Sequence, residues 1–133
     1  EMSANSRHRI HLYGFVDNME EFMLAADLMI SKPGGLSVSE ALAIGLPLLI
    51  LQPIPGQEER NSRFLVNQRV AFKAKELDDV VEIVKQVMRR PEVLDVMREA
   101  AGRLGKPYAS FQASGIILDY LHLPAFETSI PTK

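Results

Sequence analysis

The chain has 133 residues, of which 47% are hydrophobic and 24% charged, with a formal net charge of −2 at pH 7. That length fits one compact domain, and that balance fits a packed core, which excludes a disordered or fibrous chain. No apolar run approaches the roughly 18–20 residues of a membrane span, and no segment reads as a signal peptide. Cysteine is absent, so disulfides and thiolate metal sites are excluded, in keeping with a cytoplasmic protein. A pI near 5.9 gives no overall basic field to draw nucleic acid. The first residue is Glu1, not a start methionine, which suggests a piece of a longer chain.

Ile10-His11-Leu12-Tyr13 is a β-prone run closed by Gly14. Met19, Phe22, Met23 and Ala26 recur at helical spacing and read as a core-facing stripe. Leu28-Met29-Ile30-Ser31 is a second short strand, ended by Pro33-Gly34-Gly35. A helix follows, with Val38, Ala41, Leu42 and Gly45 on one side. The continuous apolar run from Leu46 to Leu51 is the mark of a strand buried on both faces. Pro53-Ile54-Pro55-Gly56 breaks it, residues 57–68 read as a polar helix, and Val70-Ala71-Phe72 as a fourth strand.

The rest is helical. Val80, Val84, Val87 and Met88 mark one helix, with Arg89-Arg90 suited to its C-terminus and Pro91 as its stop. Val93, Met97, Ala100, Ala101 and Leu104 mark the next, which ends at Gly105. A last helix spans about residues 108–121, and the tail from Pro124 reads as irregular. Strands alternating with helices of this length mean βαβ units and a parallel sheet. The expected fold is a doubly wound, three-layer α/β domain with about four strands.

Ligands of open parallel sheets bind outside the carboxyl ends of the strands. Three loops are expected there: residues 14–18, 32–37 and 53–59. Gly34-Gly35 opens directly into a helix, whose N-terminus supplies about half a positive charge to an anion. The pattern is neither a Walker A loop nor a dinucleotide fingerprint, so phosphate binding and a plain strand-to-helix turn stand level. Glu40 lies one turn into that helix, where a carboxylate accepts two hydrogen bonds from the vicinal hydroxyls of a ribose. The competing reading is a capping box, Ser37-x-x-Glu40. Gln57 and Glu58 offer amide and carboxylate to sugar hydroxyls, with Asn61 on the same face, or are simply an exposed first helical turn.

Lys32 precedes the glycine loop and reads first as a solvated lysine. His8, His11 and His122 show no metal spacing, no carboxylate cluster does either, and no metal is expected. No Ser sits in a nucleophile elbow. The basic residues Lys85, Arg89, Arg90, Arg98, Arg103 and Lys106 are interleaved with acids and read as a solvated face rather than a lipid-binding one.

Taken together, three stretches resemble a known family. They are Tyr13-Gly14-Phe15-Val16-Asp17-Asn18-Met19, then residues 26–41 with Lys32-Pro33-Gly34-Gly35-Leu36-Ser37-Val38-Ser39-Glu40, then Pro53-Ile54-Pro55-Gly56-Gln57-Glu58. They resemble the C-terminal domain of glycosyltransferase family 28, in the branch of the diacylglycerol glucosyltransferases and monogalactosyldiacylglycerol synthases. The Pro-Gly-Gln-Glu stretch points to that branch. The peptidoglycan N-acetylglucosaminyltransferase shares the glycine loop and the Glu but is less similar. The resemblance runs from about Ile10 to Phe72 and is specific in combination.

It implies a two-domain GT-B fold of Rossmann-like halves, with this chain as most of the C-terminal, donor-binding half. The donor implied is a UDP-sugar, held as substrate with no cofactor and no metal. The Phe15-Val16 backbone would hold the uracil edge. The Gly34-Gly35-Leu36-Ser37 backbone would cradle the diphosphate, and Glu40 would take the ribose hydroxyls. Gln57 and Glu58, with Asn61, would bind the sugar, while the role of Lys32 stays open. The reaction implied is an inverting hexosyl transfer to a lipid. Its catalytic base, acceptor site and peripheral membrane contact lie in an N-terminal domain absent here. The expectation is a sheet cut at its own edge, inactive alone and prone to pair with a second copy. The alternatives are a nucleotide-sugar epimerase of the same fold and a non-catalytic interaction module.

Overall fold

The computed structural model describes residues 8–123. Its sheet holds three parallel strands in sequence order: β1 (Met29–Ser31), β2 (Leu48–Leu51) and β3 (Ala71–Ala74). The register pairs Met29 with Leu48 and Leu48 with Ala71. The strand in the middle is the continuous apolar run, as its sequence requires. Leu49 and Ile50 are essentially inaccessible to solvent, because helices cover both faces of β2.

Six helices accompany the strands: α1 (Met19–Ala25), α2 (Gly35–Ala43), α3 (Gln57–Asn67), α4 (Leu77–Arg89), α5 (Glu92–Leu104) and α6 (Ala109–Tyr120). Side chains alternate across a strand, so Leu48 and Ile50 share one face of β2. That face packs with Ala41 of α2, Leu65 of α3 and Ala100 and Ala101 of α5. On the other face Phe72 packs with Val87 and Ile83 of α4 and with Leu94 and Met97 of α5. The result is the expected three-layer, Rossmann-like arrangement.

Two local features seat the helices. Asp79 Oδ2 accepts the N–H groups of Lys75 at 2.8 Å and Glu76 at 3.3 Å, which ties down the entry to α4. At the end of α5, Gly105 lies flat against α2. A Cβ there would collide with Leu42 O and stand 2.8 Å from the Leu42 carbonyl carbon. Only glycine lets the two backbones meet that closely.

Four expectations need correction. Residues 10–13 form no strand, so the described sheet has three strands, not four. Ile10, Leu12 and Tyr13 are 58%, 82% and 63% exposed. A strand needs a neighbour for its N–H and C=O groups, and no described strand lies beside this segment. The stripe on α1 is only partly core-facing. Met23 is buried, but Met19 and Phe22 are exposed, because a helix this short reaches the core through one turn. The third strand starts one residue later than expected, although Val70 is buried and its carbonyl accepts the Leu48 N–H at 3.1 Å. Gly45 falls outside α2 and turns the chain with φ +72°. The last helix is present as α6, but none of its side chains is buried. The irregular tail expected from Pro124 lies outside the described residues.

Candidate functional site

Parallel strands bring the loops after β1 and β2 to one edge of the sheet. The first is Lys32-Pro33-Gly34, leading into α2. Pro33 is fully buried and anchors the turn. Gly34 is the N-cap of α2, in extended conformation, and its carbonyl accepts the Val38 N–H at 3.0 Å. The N–H of Gly34 is already used, on Lys32 O at 2.9 Å. The next three amides, of Gly35, Leu36 and Ser37, have no acceptor among the described residues, and no side chain caps the helix. A Cβ on Gly34 would meet nothing within 4 Å. The loop therefore presents three unpaired N–H groups and the positive end of a helix toward open space.

This geometry removes the capping-box reading. The cap is Gly34, and Ser37 is already the third residue of the helix. The Glu40 side chain makes no hydrogen bond or ion pair among the described residues. Its flank of α2 faces the start of α1, where it lines a 250 Å³ cavity with Met19, Glu20, Met23, Leu24, Ala43 and Ile44. The cavity thus joins Glu40 to the helix that the 14–18 loop leads into.

The second loop runs from Gln52 to Gly56 and leads into α3. Gly56 caps α3 with φ +107° and ψ −117°, a region open to glycine alone. Glu58 reaches back across the turn, and its Oε2 accepts the Ile54 N–H at 2.8 Å. Beside it, both carboxylate oxygens of Glu59 take the Lys73 ammonium of β3, at 2.9 and 3.0 Å. Gln57 is unconstrained and leans toward the glycine loop, with Nε2 3.9 Å from the place of a Cβ on Gly35. One turn along, Asn61 Nδ2 donates to Pro33 O at 2.9 Å.

The 14–18 loop leads from no strand. It is fixed from the other side, by an edge-to-face contact of Tyr13 on Phe22 at 4.9 Å and by Asn18 Nδ2 donating to Glu21 Oε2 at 3.0 Å. The Phe15 side chain is 99% exposed and Val16 is half-buried. The structure therefore brings together Pro33, Gly35, Gln57 and Asn61 directly. Glu40 stands apart from them, on the flank of α2 that faces Met19 and Met23 of α1. Lys32 stays exposed.

Sequence reasoning missed three structural roles: Glu58 as the staple of its own loop, the Glu59–Lys73 pair and the grip of Asn61 on Pro33. The first had a signal, an acid just after a Pro-Gly turn. The other two join residues 14 and 28 positions apart and left none.

A larger cavity of 570 Å³ opens at the opposite edge of the sheet, lined by Leu28, Val84 and Leu94 among others. Its one arginine, Arg98, is held by Asp27 at 2.7 Å and Asp95 at 3.0 Å. Among the described residues, no three His, Asp or Glu side chains gather as a metal site, and no helix is long and apolar enough to cross a membrane.

A Rossmann-like parallel domain with a glycine loop at the carboxyl edge of its strands has the geometry in which open α/β sheets place their ligand sites. The comparisons narrow this. The model of the glycosyltransferase family 28 C-terminal domain matches residues 1–112, and the chain belongs to that family. A processive diacylglycerol beta-glucosyltransferase of Bacillus cytotoxicus is 27% identical over 133 residues, covering all of this chain and 34% of the relative. Its counterpart in Bacillus pumilus is 34% identical over 86 residues, 65% of this chain and 22% of the relative. The one in Staphylococcus carnosus is 30% identical over 112 residues, 84% of this chain and 28% of the relative. The chain thus spans at most about a third of the length of these relatives. Among solved structures, MurG of Acinetobacter baumannii superposes with a TM-score of 0.71 at 21% identity, over 82% of this chain and 33% of that one. That likeness establishes the fold.

Proposed function

We propose that this domain binds the nucleotide-sugar donor, a UDP-hexose, for an inverting glycosyltransferase whose acceptor is a lipid such as diacylglycerol. The observation that carries the reading is the set of three unpaired amides at Gly35, Leu36 and Ser37, with Gln57 leaning over Gly35. The amides take the diphosphate. Glu40, free of any cap, takes the ribose hydroxyls, and the Phe15-Val16 backbone takes the uracil edge. Gln57 takes the sugar, joined by Glu58 through the oxygen that its bond to Ile54 leaves over. The names of the relatives in Bacillus and Staphylococcus support a glucosyl donor and a diacylglycerol acceptor.

In the reaction, the acceptor oxygen bonds to the anomeric carbon while the bond from that carbon to the diphosphate oxygen breaks. The acceptor proton passes to a base, which we place outside these 133 residues, together with the lipid and membrane contacts. The N-terminus of α2 stabilises the charge that grows on the departing diphosphate. Holding both substrates in line supplies the remaining advantage.

Titration with UDP, followed by amide chemical shifts, tests the reading. The expected result is perturbation at residues 15–16, 34–40 and 57–58. Unchanged shifts at all three places in a folded sample would end it. Turnover of UDP-glucose with diacylglycerol by the full-length protein that carries this domain tests the acceptor, and conversion of the donor without any acceptor would favour an epimerase.

A further inference from the structure

We infer that Asn61 is a positioning residue for the glycine loop rather than a ligand of the donor sugar. The inference rests on the donor-binding reading above and assigns one residue within it a different task.

The argument starts from what holds the loop. Its three unpaired amides leave residues 35–37 without support of their own on the ligand side. The turn before them is held by the burial of Pro33 and, among the described residues, by one polar contact from another element, Asn61 Nδ2 to Pro33 O at 2.9 Å. Pro33 offers no N–H, so its carbonyl is its whole hydrogen-bonding capacity. That carbonyl belongs to the peptide unit whose N–H is Gly34's. Asn61 thus holds one side of this peptide plane, while the Gly34 N–H holds the other through Lys32 O. Rotation of this plane would re-aim every amide that follows.

Asn61 also shares a helix face with Gln57, one turn apart on α3. Gln57 leans on the exit of the loop at Gly35, and Asn61 grips its entrance at Pro33. Asn61 therefore ties the helix that carries Gln57 to the loop that would face the diphosphate. With one N–H of its amide committed to Pro33 O and its side chain half-buried, Asn61 is anchored to the loop and acts on the donor through it.

The two roles make opposite predictions for UDP, which lacks the transferred hexose. The test measures the Kd of UDP and of UDP-glucose for the full chain, with Asn61→Ala and Asn61→Asp beside the unaltered protein. A positioning residue makes both ligands bind more weakly by the same factor, about 5- to 10-fold for Asn61→Ala. Asn61→Asp loses more, because its carboxylate has no N–H and faces a carbonyl oxygen. Asn61→Ser, which keeps a donor, recovers part of the loss. In the ligand-free protein, amide exchange at Gly34 speeds up in Asn61→Ala while the strand amides of Leu49 and Ile50 stay protected. That readout separates a loosened loop from a loosened fold.

UDP binding unchanged in Asn61→Ala while UDP-glucose binding falls would make Asn61 a sugar ligand and overturn the inference. Both affinities unchanged would overturn it as well. Failure of the unaltered protein to bind UDP would instead refute the donor-binding reading, and the inference would fall with it.

Discussion

The two loops at the carboxyl edge of the sheet solve the same problem in opposite ways. The 53–58 loop is closed from within. Gly56 bends it through a backbone region that other residues avoid, and Glu58 staples it to Ile54. The 32–37 loop is held from without, by the burial of Pro33, by Asn61 and by the seat of α2 against Gly105. The self-closed loop spends its polar groups on itself and leaves few for a ligand. The externally held loop keeps three amides unpaired, which is the condition for binding an anion strongly. A site that must stay open is better braced by its neighbours than by its own hydrogen bonds.

The largest effect that can break this comparison lies at Gly105. A Cβ there would force α5 away from α2, so Gly105→Ala should lose about 2–3 kcal/mol of stability in urea unfolding. If α2 is the brace of the open loop, the folded fraction of that variant should also bind UDP more weakly. Next comes Gly56→Ala. Strain at φ +107° should cost about 2 kcal/mol, and the amide shifts of residues 35–37 should barely move, because that loop is held elsewhere.

Glu40→Ala sharpens the comparison from the ligand side. The cap of α2 is Gly34, so melting should stay within about 0.5 kcal/mol, while UDP affinity should fall by about 1–2 kcal/mol in a calorimetric titration. A large loss of stability with unchanged affinity would mean that Glu40 serves the fold. The smallest effect belongs to Glu58→Ala. Its bond to Ile54 is at the surface, so stability should drop by only about 0.5 kcal/mol, and the preference for UDP-glucose over UDP should narrow.

The same contrast explains what was legible beforehand. The interior strand Leu48–Leu51 was readable because burial on both faces demands an unbroken apolar run. The amphipathic helices α4 and α5 were readable from their periodicity, and the glycine loop from its place between a strand and a helix. The segment at Ile10–Tyr13 misled because β propensity describes what fits beside a neighbour, and the described residues offer it none. Met19 and Phe22 misled because periodicity marks a face without saying whether anything covers it. At the site, residue types alone left Glu40 suspended between ribose ligand and capping box. The observed cap at Gly34 ended that tie, because a capping box needs Ser37 one position before the helix rather than inside it.

The amino-acid sequence by itself determined the class of fold, the three segments where a site was to be sought and the resemblance to the C-terminal domain of glycosyltransferase family 28. Those rest on local pattern: alternation, periodicity and the backbone freedom of glycine. Only the tertiary structure decided which polar groups remain free. Glu58 and Asn61 looked like partners of one sugar, yet the side chain of each has a hydrogen bond to the protein's own backbone, while the side chains of Gln57 and Glu40 have none among the described residues. A donor or acceptor is available to a ligand only if no neighbour has taken it. The deciding neighbour of Asn61 stands 28 positions away, where local pattern does not reach.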